Sequence, residues 1–96
     1  MVDDSPWAEA DRLRRLADDT LVDLLRVDLS LNFTILQTAK ISRNPANILD
    51  ALGRVRQALA VIRRLQGRIA DPVTWQEIQD GANELEAAVS LLSRLP

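Results

Sequence analysis

The chain predicts an all-α protein: an antiparallel three-helix bundle with a long N-terminal helix, associating into a helical dimer. Three observations lead there. Two matched heptad runs flank Asp71-Pro72: Ile48, Leu52, Val55, Leu59, Ile62, Gln66 and Ile69 on one side, Trp75, Ile78, Ala82, Leu85, Val89 and Leu92 on the other. Runs of this kind joined by a tight turn describe a helical hairpin. A capping residue followed by proline recurs at Ser5-Pro6, Asn44-Pro45 and Asp71-Pro72. Finally, the first helix is apolar over an arc wider than a hairpin can cover.

Each capping pair starts one helix and ends the one before it. Serine, asparagine and aspartate accept hydrogen bonds from first-turn amides, and proline suits the first helical position. The residue before a proline disfavours α geometry, so the preceding helix stops. The expected helices span about 6–42, 45–69 and 72–94, in one domain of residues 1–96. Short connections make neighbours antiparallel.

The first helix is the unusual one. Its residues from Thr20 to Ser42 match the length of the other two, and residues 6–19 add about 20 Å of overhang at 1.5 Å per residue. Asp18-Asp19-Thr20 could cap a separate helix. No glycine or proline interrupts the segment, and the apolar phase of Trp7, Ala10, Leu13 and Ala17 continues into Leu21 and Leu24. A continuous or slightly bent helix follows. Leu21, Val22, Leu24, Leu25, Val27, Leu29, Leu31, Phe33, Ile35 and Leu36 then cover roughly two-thirds of its circumference at 100° per residue. Two neighbouring helices cannot cover that much, and a large exposed apolar face marks an interaction site. The interface candidates are Trp7, Leu13, Leu24, Val27, Leu31 and Ile35.

In the second helix, Leu52, Val55, Leu59 and Ile62 are core positions. Small residues line one flank: Ala51 and Ala58 on the second helix, Gly81 and Ala88 on the third. A glycine inside a helix costs about 1 kcal/mol relative to alanine, so close approach by the first helix is expected there. The other flank sets Arg56 and Arg63 against Gln79 and Glu86. Antiparallel folding about residue 71 places Arg56 opposite Glu86. Trp75, at the first heptad position of the third helix, is expected in the core.

Composition bounds the function. Hydrophobic residues make up 47% and charged residues 27%, which places the chain among globular rather than disordered proteins. The chain has no cysteine or histidine, and tyrosine is also missing. Thiol chemistry, the commonest general base and the usual transition-metal ligands are therefore lacking. The three glycines are isolated, so no phosphate loop is present. No catalytic residue, cofactor or metal is assigned, and the chain is read as a non-enzyme. Eleven arginines to one lysine suggest a GC-rich bacterial genome. An acidic start without an apolar core reads as no signal peptide, and no run is long enough to span a bilayer. A cytoplasmic protein is expected.

The formal net charge is −2. Residues 44–70 hold five arginines against Asp50, and residues 71–96 hold five acids against Arg94. A basic helix beside an acidic one is first an intramolecular match. With few aromatics and an acidic total, Arg54, Arg64 and Arg68 argue weakly for nucleic acid. Asp18, Asp19 and Asp23 lack the converging carboxylates of helical pyrophosphohydrolases and read as a solvated acidic face. Asp28 and Asn32 lie one turn apart within the apolar arc and form the candidate buried polar pair. Such a pair sets helix register or, alternatively, builds a catalytic or ligand pocket.

The stretch Val27-Asp28-Leu29-Ser30-Leu31-Asn32-Phe33-Thr34, with Ala39 and then Ala51 and Ala58, resembles certain short bacterial helical-hairpin proteins of the tetratricopeptide type. The resemblance covers about 40 residues. The signature glycine and tyrosine of that repeat are missing here, and the helices are longer. It implies helix packing or protein binding. The leading expectation is a homodimeric protein–protein interaction module. The alternatives are a small regulator or chaperone-like protein, as antitoxins are, that offers its first helix to a different protein, and an enzyme or ligand-binding bundle centred on Asp28 and Asn32.

Overall fold

The computed structural model describes residues 6–94, with side chains from residue 8 onward. It contains three helices, α1 (Pro6–Ser42), α2 (Pro45–Gln66) and α3 (Pro72–Ser93), each packed against both others. The described residues contain no strand.

Helix starts follow the expected chemistry. The Asn44 side chain accepts the Ala46 amide at 2.9 Å, and Pro45 begins α2. Asp71 accepts the Thr74 amide at 3.0 Å and the Thr74 hydroxyl at 2.6 Å, and Pro72 begins α3. The Asp71 carboxyl is held below its ordinary pKa, chiefly by the Thr74 hydroxyl. Residues 6–19 continue α1 without a break. α2 ends three residues short of expectation. The Arg68 and Ile69 amides turn back to the Leu65 and Gln66 carbonyls in short-range turns, at 2.9 and 3.0 Å.

The hairpin core is the heptad seam. Val55, Ile62, Ile78 and Leu85 are its largest fully buried side chains, and α1 contributes Leu25, Leu29, Leu36 and Ala39. The small-residue groove receives α1 as expected. A Cβ built on Gly81 would stand 2.8 Å from Leu29 Cδ1. Ala51 is buried, while Ala58 and Ala88 are half-buried.

Two expectations about the hairpin need correction. Trp75 is 37% exposed, not core. It stands in the first turn of α3, and the shortened α2 leaves little helix opposite it. Gln66 is buried instead, donating to Gln79 Oε1 at 2.7 Å. The partner of Glu86 is Arg63, at 2.5 Å, rather than Arg56. The flank is right and the register is one heptad off. Helical side chains lean toward their own N-terminus. In an antiparallel pair two such side chains lean toward each other, so partners meet from Cα positions well separated along the axis.

α1 outruns the hairpin. The molecule measures 67 × 20 × 16 Å, with a radius of gyration of 17.7 Å against about 12–13 Å for a compact chain of this length. From Glu9 to Ala17 every residue of α1 is exposed.

Candidate interaction surface on the first helix

α1 carries two apolar stripes rather than one broad arc. The inner stripe runs through Leu21, Leu25, Leu29, Asn32, Leu36 and Ala39 and packs on the hairpin. The outer stripe steps by three and four from Ala10 through Leu13, Ala17, Thr20, Leu24, Val27, Leu31, Thr34 and Thr38 to Ile41, and every member is exposed. Leu29 and Leu31 stand about 160° apart at 100° per residue. Leu13, Leu24, Val27 and Leu31 each leave 54–64% of their surface open. The 3-4 spacing was readable in the sequence. It was obscured because Val22, Phe33 and Ile35 fill the gaps between the stripes.

Four interface candidates, Leu13, Leu24, Val27 and Leu31, therefore share one open face. Ile35 does not belong with them. It is half-buried against the core, beside α2. The side chain of Trp7 lies outside the described residues.

The polar pair also differs from expectation. Asn32 is 3% exposed and satisfies itself within its own helix, its Nδ2 donating to the Asp28 backbone carbonyl at 2.7 Å. No buried side-chain polar atom lacks a partner among the described residues. Asp28 is half-buried, on the α2 side of the outer stripe. None of the hydrogen bonds or ion pairs among the described residues engages its carboxylate. The two side chains thus do not build a joint pocket.

One polar clamp was not anticipated. Arg26 on α1 grips Glu77 on α3 with two parallel bonds, Nε to Oε2 at 2.6 Å and Nη2 to Oε1 at 2.9 Å. The hydrogen bond from Arg26 holds the Glu77 carboxyl below its ordinary pKa, and the guanidinium is raised by the same contact. Glu77 is one of the five acids of residues 71–96, which in sequence match the basic second helix rather than the first. Arg26 is the only base between Asp18 and Asp28, and that isolation was the available signal.

The remaining concavities are shallow grooves between helices. One between α1 and α3 is lined by Phe33, Leu36, Lys40, Ala88 and Leu91. One between α1 and α2 is lined by Thr34, Thr38, Asp50 and Arg54. Asp18 and Asp19 border a third beside Arg15 and Arg68. Among the described residues no group of three acidic or other ligating side chains could hold a metal ion, and no helix is long and apolar enough to cross a membrane.

What distinguishes the chain is an unpartnered heptad stripe on an overlong helix. No family model, curated protein or solved structure matches it. The stripe and its chemistry are therefore the ground for a functional reading.

Proposed function

We propose that the protein is a non-enzymatic helical interaction module that works as a homodimer through the outer face of α1. The observation that carries this reading is the exposed stripe from Ala10 to Ile41. A strict 3-4 repeat of apolar and small residues is the pattern that packs against another helix. Monomers rarely leave so continuous an apolar face in water. The tetratricopeptide-like resemblance points to the same class of role, helix against helix.

Light scattering on the purified chain tests the proposal. A dimer at micromolar concentration is expected, with Leu31→Glu monomeric at the same concentration. Leu31 is more than half exposed, so a charge there leaves the bundle core intact. A monomeric wild type whose outer stripe instead takes up a different protein would favour the regulator reading.

A further inference from the structure

We infer that the overhang of α1 is a folding arm: in the free chain residues 9–17 exchange between helix and coil, and pairing of two chains fixes them as helix. The pairing rests on the homodimer proposed above. The state of the free arm stands without it.

The arm has little tertiary support. From Glu9 to Ala17 every residue is exposed, and Leu13 and Leu16 each leave 58% of their surface open. No ion pair among the described residues joins the arm to α2 or α3, and its Glu9–Arg12 pair, at 3.6 Å, is internal. Only at its base do Arg15, Leu16 and Ala17 border grooves that reach Arg68. The body of the same helix differs. Leu25, Leu29 and Leu36 are 8% exposed or less, packed on the hairpin. Such packing, rather than propensity, supplies most helical stability in a folded protein. α1 therefore passes from a packed to an unpacked helix within one element of 37 residues.

The sequence of the arm holds it near the helix–coil balance. Its alanines, leucines and arginines are good helix formers, and Glu9 lies in the first turn, where the helix dipole favours an acid. Asp11 precedes Arg15 by four residues, the favourable order for a helical pair. Asp18 and Asp19, at its junction with the body, are poor helix formers. A helix shorter than about 12–15 residues is marginal by itself, but this one grows from a formed helix and has no nucleus to build. Each residue adds on near-even terms, so order decays toward the free end. A modest contact shifts such a balance. The outer stripe runs onto the arm through Ala10, Leu13 and Ala17, so pairing through that stripe supplies the contact. Apparent affinity then falls with the fraction of chains whose arm is ordered. Helix propensity in the arm tunes pairing from positions outside the stripe.

Residue-resolved amide hydrogen exchange tests this on the wild-type dimer and on the monomer, obtained as Leu31→Glu or by dilution. In the monomer, the amides from Leu13 to Ala17 should exchange within about tenfold of an unstructured peptide, and those of Leu29 and Leu36 at least about a hundredfold more slowly. In the dimer the arm amides should slow by about tenfold or more. Arm amides as protected as the body in the monomer overturn the free arm. Arm amides unprotected in both states overturn the coupling. A wild type that stays monomeric at high micromolar concentration overturns the homodimer and the coupling with it, while the arm's own state is still read from that monomer. Arg14, about 100° round the helix from Leu13, gives a second readout. Arg14→Gly should weaken the dimer about three- to tenfold, and Arg14→Ala should hold it within about twofold. Equal losses in the two variants would assign the effect to the charge and overturn the role of helix order.

Discussion

Gly53 and Gly81 sit inside neighbouring helices and should answer substitution in opposite ways. Nothing lies within 4 Å of a Cβ built on Gly53, whereas one on Gly81 meets Leu29. Gly53→Ala should gain about 0.5–1 kcal/mol from helix propensity alone. Gly81→Leu should lose about 1–3 kcal/mol by overpacking the groove that α1 occupies. Thermal melts followed by circular dichroism compare the two, and a stabilised Gly81→Leu would mean α1 does not press there. Arg43 is a third such site. It closes α1 with φ 54°, its amide donating to Ala39 at 3.3 Å. A left-handed arginine is strained where glycine is not. Arg43→Gly should raise stability by about 0.5–1 kcal/mol, and a lower melting temperature would contradict the strain. Gly81 was legible in the sequence because glycine inside a heptad run demands a packing reason. Arg43 was not, because arginine carries no signal for positive φ.

At the scale of elements, the helix starts were written in the capping residues and prolines, and the structure places them there. The pairing between helices was less legible. Sequence spacing locates Cα positions, while side chains meet where they lean. A double-mutant cycle on Arg63 and Glu86 should give a coupling of about 0.2–1 kcal/mol, as exposed pairs do, and one on Arg56 and Glu86 should give none. Equal couplings would restore the simpler register. The Arg26–Glu77 clamp joins α1 to α3, and the Asp71 cap starts α3. Both carboxyls have pKa values below their unfolded values. Their contribution is present above the ordinary carboxylate range, near pH 4, and is lost as pH falls through the lowered values. Stability should therefore decline on acidification. Glu77→Gln with Asp71→Asn should flatten that decline, and an unchanged acid limb would show that other groups govern it.

The whole molecule is a bundle with one helix too long and too apolar for its two neighbours. The excess was readable from composition along α1. Its division into an inner and an outer stripe was harder to read, because the half-buried Val22, Phe33 and Ile35 between them blur the periodicity. The overhang and the outer stripe form one surface, and the proposed dimer would cover both at once. Removing that cover should expose the stripe, so Leu31→Glu should lose the concentration dependence of stability that a dimer imposes. The most direct measurement is the molar mass in solution by light scattering across the micromolar range. The account predicts twice the chain mass of 10.7 kDa, falling to the single mass for Leu31→Glu. A wild type that stays at the single mass up to high micromolar concentration and binds no apolar-surface dye would contradict it.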